Sequence, residues 1–212
     1  MYKIVFTRVL SCKRTHTLCS MNDTDAEQSW KKLMQQAIMR IDVTGGGSMG
    51  KKEVKTNAMR ILEKENIPFQ HYTYECEAFT DGIQVADMLH LPHEKVYKTL
   101  VTQGNDHNYY VFVLPIEAEL DFKKCAKSVG VKSVEMIHVK DIQKITGYIR
   151  GGCTSVGMKK QYVTRIARQA KELPSIIVSG GRLGSQLELA PEDLCRAAGA
   201  EYAQITQDDA EN

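Results

Sequence analysis

Lys98 stands in the run VYKTL, flanked by Val96, Tyr97, Leu100 and Val101. Side chains alternate faces along a strand, so Lys98 shares its face with Val96 and Leu100 while Tyr97 and Thr99 point the other way. A lysine in such company is either a charge that blunts an edge strand or a cation held in a pocket, where it can bind a phosphate or steady an oxyanion. A second stretch, GYIRGGCTSVGMKK at residues 147–160, combines four glycines with two small hydroxyl residues and a closing lysine pair. Gly151 and Gly152 remove two successive Cβ atoms, which suits either a bulged hairpin turn or a backbone cradle for a ligand. It is no Walker loop, because G-x-x-x-x-G-K-[ST] is absent. Cys153 invites a nucleophile reading, but a thiolate needs a base, and His138 is the sole histidine within 40 residues on either side. The alternative is a small buried or pocket-lining thiol.

These residues must be positioned by a mixture of helices and strands. Val54, Ala58, Ile61 and Leu62 recur on one face of a helix that stops before Pro68. FQHYTYE alternates like a strand, and Asp81 or Gly82 opens a short helix through Met88 and Leu89. The apolar segments VYKTLVT and NYYVFVLP flank QGNDH, a set of hairpin turn residues. Asp121 caps a helix bearing Phe122, Cys125, Ala126 and Val129, closed by Gly130, and a further helix runs from Val139 to Thr146. SIIVSGGRLGSQLELAPEDL reads as strand, glycine turn, strand and a helix with Pro191 in its first turn. YVTRIARQAKEL carries helical spacing at Val163, Ile166, Ala167 and Ala170. The hairpins argue against a doubly wound nucleotide fold.

Composition sets the outer limits. The 212 residues have a formal charge of +2, too small to argue for nucleic acid by itself. Locally the balance differs: from 121 to 172 the acids are Asp121, Glu135, Asp141 and Glu172 alone, against a dozen lysines and arginines that include Arg150, Lys159 and Lys160. Such a bias marks either a nucleic-acid surface or a solvated lysine-rich face. The six cysteines, at 12, 19, 76, 125, 153 and 195, form no C-x-x-C pair and no zinc spacing, so reduced thiols, no metal and no cofactor are expected. No signal peptide and no membrane span is read, and a cytoplasmic protein is the default.

The composition changes at TGGGSMG, residues 44–50, a flexible Gly/Ser run. Residues 1–48 are read as an N-terminal extension without assigned function: a fused segment, a start site placed too early, or a natural extension, the first two being favoured. Residues 49–207 form the domain, and 208–212 an acidic tail.

Six motifs, IPFQHYTYE, VYKTLV, KKCAKSVGVKSVEM, TGYIRGGCTSVGMKK, IIVSGG and LELAPEDL, resemble in order and spacing the YbaK/EbsC family, the bacterial Cys-tRNA(Pro) deacylases. The resemblance implies a single compact α/β domain whose mixed, mostly antiparallel sheet forms a distorted barrel with surrounding helices. It also implies a strand entering at YVTRIARQAKEL, and that reading is favoured over the segment's helical spacing. It implies clearance of cysteine misattached to tRNA(Pro), or to tRNA(Cys) as well, alongside prolyl-tRNA synthetase. Lys98 and Tyr74 then match the family's required lysine and pocket tyrosine. Gly151, Gly152, Thr154 and Ser179 match substrate-binding positions. The resemblance also implies a chemistry in which the substrate's own thiol attacks, which removes the need for a protein acid/base pair. One departure stands out: the family's Ser-Pro after the glycines is Thr154-Ser155 here. Losing proline frees φ at 155 and adds an N–H donor. Relatives that clear Ala-tRNA(Pro) are therefore the alternative, and a non-catalytic tRNA- or synthetase-binding module is the other.

Overall fold

A computed structural model describes residues 54–75 and 81–207, and the expected extension at 1–48 and tail at 208–212 lie outside the described residues. Helix α1, Asn57–Lys64, starts where the Thr56 hydroxyl accepts from the Met59 N–H. Val54 therefore precedes the cap and stands 71% exposed, so the expected apolar stripe begins only at Ala58. The apolar repeat extends upstream, but a capping side chain that satisfies an orphan N–H decides where the first turn forms.

Strand β1, Gln70–Thr73, leads to helix α2, Gly82–Met88, whose N-cap Asp81 accepts from the Ile83 N–H. Strands β2, Tyr97–Gly104, and β3, Tyr109–Pro115, form the expected hairpin. Helix α3, Phe122–Val129, is capped by Asp121 at Lys123 and Lys124 and closed by Gly130. Then follow β4, Val134–Met136, and helix α4, Ile142–Thr146, entered through a 3₁₀ turn at Val139–Asp141. Strand β5, Val163–Ala167, takes the first part of the helix-like segment, and the rest is a 3₁₀ turn at Arg168–Glu172. Strands β6, Ile176–Ser179, and β7, Ser185–Leu189, make the second hairpin, ahead of helix α5, Pro191–Ala198, and strand β8, Ala200–Ala203.

The strands make two sheets, ordered β1-β7-β6 and β4-β2-β3-β5-β8. Pairing is mostly antiparallel, with β3-β5 and β5-β8 parallel. The barrel-like single sheet is thus two sheets, joined by one parallel bridge between Val96 and Ile177. One core fills the space between them: Ile176, Val178, Leu187 and Leu189 of the small sheet pack with Phe112, Leu114 and Ile166 of the large one and with Leu62 of α1. A second, smaller cluster of Ala86, Val96, Ile116 and Ile177 lies on the opposite face of the small sheet. Period-2 alternation separates the two sets, since Ile177 stands between Ile176 and Val178. Truncating a fully buried residue such as Phe112 to alanine costs about 3–5 kcal/mol. No described helix is long and apolar enough to cross a membrane.

Candidate active site

The two sheets diverge around a pocket of about 370 Å³. Its walls come from β2 (Lys98 to Val101), from α2 and its cap (Asp81, Gly82, Val85), and from the loop after α4 (Arg150, Gly151, Cys153). Tyr74, Ser179 and Gln186 come from the small sheet and its ends, and Met136, Ile137, Val139 and Ile142 form an apolar rim. Its size lies at the lower end of the roughly 300–1,000 Å³ typical of small-molecule sites.

Lys98 extends from β2, opposite Leu114 in the β2-β3 register, and its Nζ donates to the Ile116 carbonyl at 2.9 Å. Burial lowers its pKa, and the charges of Asp81 and Glu119 oppose that shift without cancelling it. Of the two readings open for this residue, the pocket cation is the one realised. Ile116 is itself held in place, donating its N–H to the Val96 carbonyl at 3.0 Å. Thr99 also lines the pocket, with its hydroxyl buried and unpaired among the described residues.

Ser179, at the end of β6, donates through Oγ to the Gly151 carbonyl at 3.4 Å and so ties the glycine loop to the small sheet. Residues 147–160 are no hairpin; they run as turns and bends from α4 to β5. Gly152 is buried behind the pocket wall, where an added Cβ would lie 2.9 Å from the Arg182 Cα and 3.0 Å from its carbonyl carbon. Its role is close backbone approach between two loops, which any side chain would force apart. Gly184 does the same for Tyr74: the Tyr74 N–H donates to the Gly184 carbonyl at 3.0 Å, and a Cβ there would meet the Tyr74 carbonyl oxygen at 2.5 Å. With φ at +74°, Gly184 also holds a backbone conformation that L side chains rarely adopt.

Thr154 is fully buried and outside the pocket lining, and its hydroxyl has no hydrogen-bond partner among the described residues. Ser155 is buried to 7% exposure with its hydroxyl likewise unpaired. Of the six site residues expected from the sequence, the structure therefore brings Lys98, Tyr74, Gly151 and Ser179 together in one pocket and sets Gly152 and Thr154 behind it.

Cys153 does line the pocket, but burial pushes its thiol up to about 11, only partly offset by a hydrogen bond involving Thr146. At neutral pH it is a thiol, and no described hydrogen bond brings His138 to it. Among the described residues no cluster of His, Cys, Asp and Glu is placed to hold a metal. The basic run is partly structural: the Lys159 Nζ donates to the Gln143 and Lys144 carbonyls, and Arg165 pairs with Glu201. Several polar pocket residues escaped sequence reasoning: Asp81 is read there as a helix cap, Arg150 only as part of the basic run, Thr99 only as pointing away from Lys98, and Gln186 not at all. The signal for Gln186 was the register of the hairpin that begins at Ser179.

The domain thus sets a half-buried lysine and a glycine-containing loop into the walls of one pocket. The profile of the aminoacyl-tRNA editing domain matches residues 77–197, and the chain belongs to that family. A protein of Enterococcus faecalis named "Putative Cys-tRNA(Pro)/Cys-tRNA(Cys) deacylase EbsC" is 45% identical over 157 residues, covering 74% of this chain and 96% of that one. The fold is shared with the crystal structure of hypothetical protein APE2540, with a TM-score of 0.64 and 22% identity over 70% of this chain and 97% of that one. It is shared too with the crystal structure of a "putative trans-editing enzyme for prolyl tRNA synthetase", at a TM-score of 0.63 and 19% identity over 73% and 99% of the two chains.

Proposed function

We propose that this chain is a trans-editing deacylase that clears Cys-tRNA(Pro), and Cys-tRNA(Cys) as well, acting on the tRNA acceptor end alongside prolyl-tRNA synthetase in the cytoplasm. The editing unit spans residues 49–207. The observation that carries the reading is a half-buried ammonium, Lys98, in a pocket whose own thiol, Cys153, is held protonated. The pocket offers positive charge and backbone but no activated protein nucleophile. That combination suits a substrate that brings its own.

In the reaction the substrate Sγ attacks the ester carbonyl carbon. An S–C bond forms, the ester C–O bond to the ribose breaks, and the thiol proton ends on the departing 3′ oxygen. The enzyme's contribution is orientation by Tyr74, Gly151 and Ser179, and stabilisation of the developing oxyanion by Lys98. Alanine has no thiol, so an Ala-tRNA(Pro) substrate would need an attacking water. The change to Thr154-Ser155 gave the alanine reading its motive, yet neither hydroxyl lines the pocket wall beside Lys98, which favours cysteine.

The test is release of radiolabelled amino acid from Cys-tRNA(Pro), Cys-tRNA(Cys) and Ala-tRNA(Pro), by wild type and Lys98→Met. Cysteine release that falls roughly 100-fold or more in the variant is expected. Intact Cys-tRNA(Pro) after incubation with wild type, with tRNA still bound, would make the protein a binding module instead.

A further inference from the structure

Gln186 is a polar pocket residue whose chemistry the deacylase reading leaves unused. It lies on β7, directly opposite Ser179 on one side and Tyr72 on the other. Residues directly opposite in an antiparallel pair share a face, and Tyr74, two residues beyond Tyr72, continues it. The same face carries Ile177 toward the small apolar cluster, while Leu187 and Leu189 point into the main core. Gln186 thus faces the pocket from the floor of the small sheet.

Its carboxamide is open to the pocket. Gln186 is 8% exposed, yet its amide is not among the buried polar groups left without a partner, so its polar atoms reach the pocket space. Neighbouring polar groups on the face are already engaged: Tyr72 Oη donates to Glu188 at 2.5 Å, Ser175 Oγ donates to the same carboxylate at 2.5 Å, and Ser179 Oγ is tied to Gly151. An amide that opens into the pocket between engaged neighbours is available to a bound group.

The polar needs of an aminoacyl ester identify that group. Lys98 supplies positive charge for the carbonyl oxygen, so what the pocket must still offer is an acceptor for the α-ammonium. Among the described residues Asp81 is the pocket's single carboxylate, but its Oδ1 accepts from the Ile83 N–H at 3.0 Å and its charge bears on Lys98. A neutral acceptor can take up the ammonium without neutralising Lys98. We infer that the Gln186 carboxamide oxygen accepts a hydrogen bond from the α-amino group of the bound aminoacyl ester, making Gln186 a specificity-determining residue for substrates with a free amine. This rests on the deacylase reading above.

The experiment measures binding by the full chain, so that it does not depend on turnover. The probes are 3′-cysteinylamido-3′-deoxyadenosine, whose amide replaces the labile ester, and its 3-mercaptopropionyl counterpart, which lacks the amino group. Gln186→Met should weaken binding of the first by about 10-fold to 100-fold, the factor for a hydrogen bond to a charged group, and leave the second unaffected. Gln186→Glu, which keeps an acceptor at that position, should hold the first probe within about threefold of wild type. A merely structural role would weaken both probes alike in Gln186→Met, and that result overturns the inference. So does equal affinity of wild type and Gln186→Met for the first probe, or a loss in Gln186→Glu as large as in Gln186→Met. Binding that depends on Gln186 without cysteine release from Cys-tRNA(Pro) sinks the deacylase reading and leaves this contact standing. Cysteine release with no dependence on Gln186 does the reverse.

Discussion

Lys98 is a residue the fold holds at a cost. Its lowered pKa means that, between the folded value and the ordinary 10.5, the unfolded chain binds the extra proton, so stability rises with pH across that window. Below the window the buried charge is a standing penalty, as a functional cation often is. Thr154 carries a different residue-scale cost, a buried hydroxyl with no partner. Thr154→Val keeps the shape and removes the unmet group, so it should stabilise the chain by about 1 kcal/mol, read as a higher urea midpoint at constant slope. A lower midpoint would mean that the hydroxyl is satisfied in solution. Lys98 was legible in the sequence because a lysine among apolar strand residues is an anomaly. Gln186 was not, because a glutamine in a strand looks like any solvated face until the register across the Gly180–Gly184 turn sets it beside Ser179.

At the scale of elements, α2 is held over the pocket by His93. Its Nε2 lies 2.8 Å from Asp87 of α2 and its Nδ1 2.8 Å from Glu117 just after β3, an arrangement that asks both ring nitrogens to donate. Hydrogen bonds to Glu117 and then Asp87 raise its pKa above 6.5, against a lesser effect of burial. A raised folded pKa gives stability that is fully present below 6.5 and lost as pH climbs through the folded value. His93→Ala should therefore show its largest Tm deficit near pH 6, shrinking toward zero at alkaline pH. A deficit that is flat with pH would show that only neutral contacts matter here. The elements best read from sequence were those with their own punctuation, α3 between Asp121 and Gly130 above all. Where local signals conflicted, tertiary pairing decided: β5 is a strand because β3 and β8 flank it on both sides, whatever the spacing of its apolar residues.

For the whole molecule, the telling fact is that, among the described residues, two sheets share one core while a single parallel bridge, Val96 with Ile177, joins them. Cooperativity must then come from side-chain packing between the sheets. Native-state hydrogen exchange should give the central amides of β2 and β3 the same opening free energy as those of β6 and β7. A distinctly lower value for the small sheet would show that it opens as a separate unit. The division into two sheets was invisible in the sequence, since strand count and alternation are the same for one curled sheet or two.

Because Lys98 belongs to one sheet and Ser179 and Gln186 to the other, the pocket works as a caliper whose jaws are set by the bulk of the residues wedged between the sheets. A lineage could then widen or narrow its choice of amino acid by changing Val178 or Leu187, core residues that do not line the pocket. Selectivity would drift while every residue that touches the substrate stayed the same.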